Sequence, residues 1–170
     1  MFEFDRYESP IGQILLVVKE RKLVSLDFSG YESRFEQLLT ARYGKVEFVS
    51  KSDPSGVTAR VHRYFVERDF AAFDDLEVET GGTGFQQEVW TALRHIPAGA
   101  TWTYGQLAHH LRRPKAFRAV GHANSLNPIG IVLPCHRVIG SNSSLTGYAG
   151  GLHRKRWLLE HEGAIAPSLL

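Results

Sequence analysis

The chain has 170 residues, of which 43% are apolar, 22% charged and 11% aromatic, with a formal net charge of +2. That mixture is too polar for a membrane-embedded protein and too apolar for a disordered one, and a chain of this length can bury roughly 70% of its unfolded surface without cross-links. The single cysteine excludes an intrachain disulfide and a cysteine-rich zinc site.

The opening stretch MFEFDRYESPIG has no basic run followed by an apolar core, so no secretory signal is expected. Phe2-Glu3-Phe4-Asp5 alternates as a strand does. GQILLVV (12–18) and KLVSLDF (22–28), parted by Lys19-Glu20-Arg21, read as a β-hairpin. Tyr31 to Tyr43 carries Phe35, Leu38 and Leu39 at helical spacing, with Gly44 as a stop. Val46 to Val49 reads as a short strand, 51–56 as a loop, and Val57 to Arg68 as a helix with Val61, Tyr64 and Phe65 on one face. Asp74 to Thr80 reads as a strand or an extended link that ends at Gly81-Gly82.

Beyond those glycines the pattern changes. Phe85 to His95 reads as a helix with Phe85, Val89, Trp90 and Leu93 inward, and Ile96-Pro97-Ala98-Gly99 ends it. Thr103 caps a second helix, to Leu111, and Arg112-Arg113-Pro114 turns into a third over Lys115 to Asn124. The last two form a helix-turn-helix candidate. The apolar stretch Ile129 to Pro134 is too short to span a bilayer. A glycine-rich loop, Gly147-Tyr148-Ala149-Gly150-Gly151, precedes a final helix over His153 to Glu162.

Charge divides at the same place. Residues 1–83 hold 11 Lys+Arg against 15 Asp+Glu, whereas residues 84–170 hold 9 against 3, together with seven of the eight histidines. The expected organisation is an α+β supporting domain over 1–83, built on a small antiparallel sheet with helices, and a second domain over 84–170. The second is mostly helical and winged-helix-like, and its positive charge points to an anionic partner, nucleic acid first.

Cys135 lies in Leu133-Pro134-Cys135-His136-Arg137-Val138. A lone cysteine is most often a small buried hydrophobe. Here two cationic neighbours favour a thiolate, the form a nucleophile needs. In an extended chain adjacent side chains point apart, so contact between sulfur and His136 requires a bend or a bridging water. Such a histidine also wants an acid to set its tautomer, and Glu88, Glu160 and Glu162 are the candidates in this half.

Pro134 to Val138, with Asn127-Pro128 before it and Gly147-Tyr148-Ala149-Gly150-Gly151 after it, strongly resembles the O6-alkylguanine-DNA alkyltransferases, also called methylated-DNA–protein-cysteine methyltransferases. The similarity takes in Phe85-Gln86-Gln87-Glu88-Val89-Trp90, Thr103-Tyr104-Gly105-Gln106-Leu107-Ala108, Arg118-Ala119-Val120-Gly121 and Leu158 to Gly163, in order over 84–163. In the first half it rests mainly on Ser9-Pro10-Ile11-Gly12.

The resemblance implies DNA repair by direct reversal, with irreversible, single-turnover transfer of an alkyl group from O6-alkylguanine to Cys135. O4-alkylthymine is left open as a second substrate. It implies His136 as a base acting through a water, Glu162 as the acid orienting it, and Asn127 in the same network. It implies Arg118 as the residue that fills the stack when the nucleotide is flipped through the minor groove, with Ala119 and Gly121 beside it at the groove floor. Tyr104 would press on the target phosphate and donate a hydrogen bond in the pocket. Tyr148, Gly147, Ala149, Val138 and Gly130 would line that pocket, and Ser125 would contact DNA. Gly130, Ala149 and Ser125 differ from some members, which have proline, serine and a basic residue there. No metal or cofactor is expected.

The implied partner is double-stranded DNA carrying alkylated bases, met in the cytoplasm or nucleoid by a monomer, with cooperative assembly on DNA left open. A non-catalytic damage-binding relative, a winged-helix regulator and a papain-like hydrolase are the rival readings. The intact Cys135-His136 pair disfavours the first. The unexplained Cys135-His136…Glu162 group disfavours the second, and the adjacency of cysteine and histidine the third.

Overall fold

The hairpin strands pack so many β-branched and aliphatic residues that both of their faces must be covered. In the computed structural model, which describes residues 1–167, the strands are β1 (Phe2–Ser9), β2 (Gly12–Lys19), β3 (Lys22–Phe28) and β4 (Phe48–Ser50), in the order β3-β2-β1-β4. The β2–β3 turn places Glu20 and Arg21 at φ of 50° and 69°, as a two-residue hairpin of the favoured handedness requires. The first three strands are antiparallel as expected, but β4 joins β1 in parallel, with Phe2 opposite Phe48. The sheet is therefore mixed, because the chain returns to it through a helix rather than a tight turn.

That helix, α1 (Glu32–Tyr43), lays Phe35 and Leu39 on Leu15, Val17 and Val24. With a side-chain period of two, Ile14 and Leu16 face the other way, as does Tyr7, whose ring stacks on Phe65 of α2 (Val57–Val66) at 6.0 Å. Ile14 to Val18 are all buried in consequence. Asp74 to Thr80 makes one isolated bridge instead of a full strand. Leu23 N–H donates to Glu77 O at 3.0 Å and Glu79 N–H to Leu23 O at 2.9 Å, which covers the outer edge of β3.

The chain divides into two compact units, Met1–Gly81 and Gly82–Leu170. The second opens with α3 (Gly84–Leu93), whose capping box joins Thr83 and Gln86. Val89, Trp90 and Leu93 are buried, and Trp90 Nε1 donates to the Ala123 carbonyl at 2.8 Å. Phe85 is only half-buried, beneath the Arg113 guanidinium, rather than facing inward with the others. The second capping box, Thr103 with Gln106, starts α4 (Tyr104–His110) directly after β5 (Trp102–Thr103).

Pro114–Ala116 forms one 3-10 turn, and α5 (Phe117–Ser125) begins only after it, two residues later than the spacing suggests. Proline is tolerated in a first helical turn and restricts only the residue before it, so Pro114 fixes where the segment can begin but not whether its first turn is 3-10 or α. After a second 3-10 turn at Cys135–Arg137, the short strand β6 (Val138–Ile139) pairs in parallel with β5. Helix α6 (Leu152–His161) closes the unit with Leu158 and Leu159 in its core. No helix among the described residues is long and apolar enough to cross a membrane.

Candidate active site

Asn127 sets the path of the chain into the site. Its side-chain carbonyl accepts from Ile129 N–H at 3.0 Å and its amide donates to Leu133 O at 2.7 Å, so one side chain clamps both ends of the buried turn. Inside that turn Ile131 is held at φ 68°, a conformation that a β-branched residue adopts only when its surroundings impose it. Cys135 follows as the first residue of a 3-10 turn, 7% exposed. The segment is thus bent, not extended, and adjacent side chains are not forced to opposite faces.

His136 is fully buried, and its Nε2 meets Glu162 Oε2 at 2.9 Å. Of the three acids in this half, Glu162 is the partner; Glu88 pairs with Arg113 at 3.1 Å and Glu160 with Arg156 at 3.8 Å. Arg137, also buried, donates to Glu162 through Nε at 2.8 Å and Nη2 at 3.0 Å, and its Nη1 reaches the Ile96 carbonyl at 2.6 Å. Burial alone would raise the Glu162 carboxyl, but the His136 ring and the Arg137 guanidinium hold it well below the usual carboxylate range. A carboxylate there accepts from Nε2–H, which fixes the tautomer and leaves Nδ1 as the basic nitrogen. Nδ1 is buried without a protein partner.

Opposite this pair, Tyr104 is the first residue of α4, and its hydroxyl donates to Thr146 O at 3.3 Å. Burial raises its pKa, so the hydroxyl stays protonated at neutral pH. Gly147, at φ 56°, passes so close that an added Cβ would lie 3.5 Å from the Tyr104 hydroxyl, and Gly121 of α5 sits 3.6 Å from the same ring by the same measure. The Tyr148 ring meets that of His136 edge-on at 6.5 Å. Val138 is buried in β6, Ala149 is half-buried, and Gly130 is half-buried in the turn before Cys135. Arg118, Ala119 and Ser125 lie exposed along α5, and the Ser125 hydroxyl donates to His122 O at 2.6 Å. The structure thus gathers Cys135, His136, Glu162, Tyr104, Gly147 and Tyr148, while Arg118, Ala119 and Ser125 form a separate outward face.

Three side chains at the site escape the sequence argument. Arg137 enters it only as a cation beside Cys135, yet it is the second ligand of Glu162. Asn124 donates to the Cys135 carbonyl at 3.4 Å. Lys155 is fully buried, and its ammonium donates to Val138 O at 2.5 Å, Thr146 O at 2.7 Å and Gly147 O at 3.5 Å. Burial brings Lys155 down to about 8, against the opposing pull of the nearby Cys135. The signal for it was present in the spacing: Lys155, Leu158, Leu159 and Glu162 fall at i, i+3, i+4 and i+7, one helical face.

Comparison with known proteins converges on one family. Residues 84–164 match the family model for the 6-O-methylguanine DNA methyltransferase, DNA binding domain. The chain is 50% identical over 164 residues to the methylated-DNA–protein-cysteine methyltransferase of Salmonella typhimurium, covering 95% of each. The crystal structure of the Mycobacterium tuberculosis O6-methylguanine methyltransferase superposes with a TM-score of 0.78 at 38% identity, over 99% of this chain and 96% of that one. The M. tuberculosis OGT in complex with DNA gives the same TM-score at 37% identity, over 98% and 96%.

Proposed function

The chain belongs to the methylated-DNA–protein-cysteine methyltransferase family, and from that premise we propose how its second unit carries out the reaction. It is a DNA-binding repair methyltransferase that moves a methyl group from O6-methylguanine in DNA to a cysteine of its own. Cys135 is the acceptor, since the chain has no other cysteine.

The thiol proton passes through a water to His136 Nδ1, the nitrogen that Glu162 leaves basic. The resulting imidazolium is stabilised by the Glu162 carboxylate, itself held by Arg137. The thiolate attacks the methyl carbon, an S–C bond forms, and the C–O6 bond breaks with its electron pair going to the guanine. Tyr104, which burial keeps protonated, supplies a hydrogen bond to the departing base, and backbone N–H groups of the Gly147–Ala149 loop serve O6. The S–C bond of the thioether product is inert to thiols and to water, so the sulfur is not regenerated and each molecule acts once.

O6 of a paired guanine is not accessible to a buried sulfur, so the nucleotide must leave the stack. Exposed Arg118, with Ala119 and Gly121 beside it, supports entry of α5 into the minor groove and filling of the gap.

The observation that carries this reading is the buried His136–Glu162 pair adjoining the one cysteine. Intact-protein mass spectrometry after mixing with a duplex holding one O6-methylguanine, followed by peptide mapping, tests it. One added methyl per chain, on the Cys135 peptide, is expected at any excess of DNA. Tight binding without a change of mass would replace the transferase by a damage-binding protein.

A further inference from the structure

The first residue of α5, Phe117, is 46% exposed, and the Arg118 guanidinium lies over its ring, 5.8 Å from the centroid. It is one of few large apolar side chains that the described residues leave this open, and it stands one residue from the side chain assigned to the DNA gap. The face around it is suited to a polyanion. Lys115, Arg118, Ala119 and His122 are all exposed there, and the chain has no Asp or Glu between Glu88 and Glu160.

Neighbouring side chains on a helix diverge by about 100°, so ring and guanidinium leave the backbone in different directions. The guanidinium nonetheless lies over the ring, so an apolar face and a cation are paired at the start of the helix. Proteins that enter the minor groove use either kind of group for the same purpose, an apolar wedge between base steps or an arginine that follows the groove. A phenyl face also stacks on any base, because every base has a π-surface.

We propose that Phe117 is a second wedge residue: its ring stacks on the duplex at the gap beside Arg118 when the damaged nucleotide leaves the helix. The inference rests on the repair reading above and adds a residue to it. In the DNA-free protein the same ring holds the Arg118 guanidinium at the helix tip, ready for the groove.

Because Phe117 is exposed, its variants should keep the fold, and unchanged thermal midpoints would verify this. The experiment compares single-turnover methyl transfer from a duplex containing one O6-methylguanine with transfer from free O6-alkylguanine base. It uses the wild-type chain, Phe117→Ala, Phe117→Trp, Arg118→Ala and the double variant. Phe117→Ala is expected to slow the duplex reaction roughly tenfold, the order of one base–aromatic stack, and to leave the free-base reaction unchanged. Phe117→Trp should retain the wild-type rate, and Phe117→Ala should slow the duplex reaction in the Arg118→Ala background too. Equal rates for wild type and Phe117→Ala on duplex would overturn the proposal while leaving the repair function standing. So would an effect that vanishes once Arg118 is gone, since Phe117 would then act only by holding the arginine. A wild-type chain that accepts no methyl from either substrate would overturn both readings.

Discussion

Glu162 serves two partners with one carboxylate: Oε2 orients His136, and both oxygens hold Arg137. With its side chain fully buried, loss of the charge leaves the Arg137 guanidinium without a counter-ion, an arrangement that destabilises by roughly 3–5 kcal/mol. Glu162→Gln should therefore lower stability by about that much in denaturant titrations and slow methyl transfer by about a hundredfold or more, the range of a lost general base. The pH dependence follows from the sign of the shift. A carboxyl depressed in the folded state adds stability that is fully present above its unfolded value, near 4.3, and is lost as pH falls toward its folded value. The wild-type chain should thus lose stability steeply on acidification below about pH 4.5, and Glu162→Gln should show a shallower slope; equal slopes would mean that Glu162 is not the group responsible. The local pattern around Cys135 leaves Glu88, Glu160 and Glu162 open as the acid for His136; the family resemblance points to Glu162, and the fold brings it to the ring.

Helix α4 has only seven residues, short enough to depend on its ends, and it presents Tyr104 from its first turn. Thr103→Ala removes the hydroxyl that accepts from Gln106 N–H at 3.0 Å and should lower stability by about 1 kcal/mol. The amides of the first turn should then exchange faster by hydrogen–deuterium mass spectrometry, and transfer should slow as Tyr104 loses its fixed origin. This cap is legible from sequence, since threonine before an apolar-periodic segment with glutamine three residues on has few other meanings. The start of α5 is not, because Pro114-Lys115-Ala116 is compatible with either a helical first turn or a separate 3-10 turn. Nor is the role of α6: its charged residues suggest a solvated helix, yet Lys155 lies on the buried stripe and ties β6 to the Thr146–Gly147 loop.

Over the whole molecule the charge is unevenly spread, with 9 Lys+Arg against 3 Asp+Glu beyond residue 83. Binding to duplex DNA should weaken linearly in log–log plots against salt, and Lys115→Ala should reduce the slope by about 1 without altering the free-base reaction. A slope that Lys115→Ala leaves unchanged would place the phosphate contacts elsewhere. Composition, hydrophobic period and turn residues determined the hairpin, most helices, the split near the paired glycines and the segment that carries Cys135, because each of these depends on neighbours along the chain. Tertiary structure alone decided the parallel entry of β4, the second hold of Arg137 on Glu162 and the three carbonyls that the Lys155 ammonium binds. Those outcomes join residues far apart in sequence, as Arg137 and Glu162 are, and no local pattern records which of several compatible partners will be brought within hydrogen-bonding distance when the chain closes around its core.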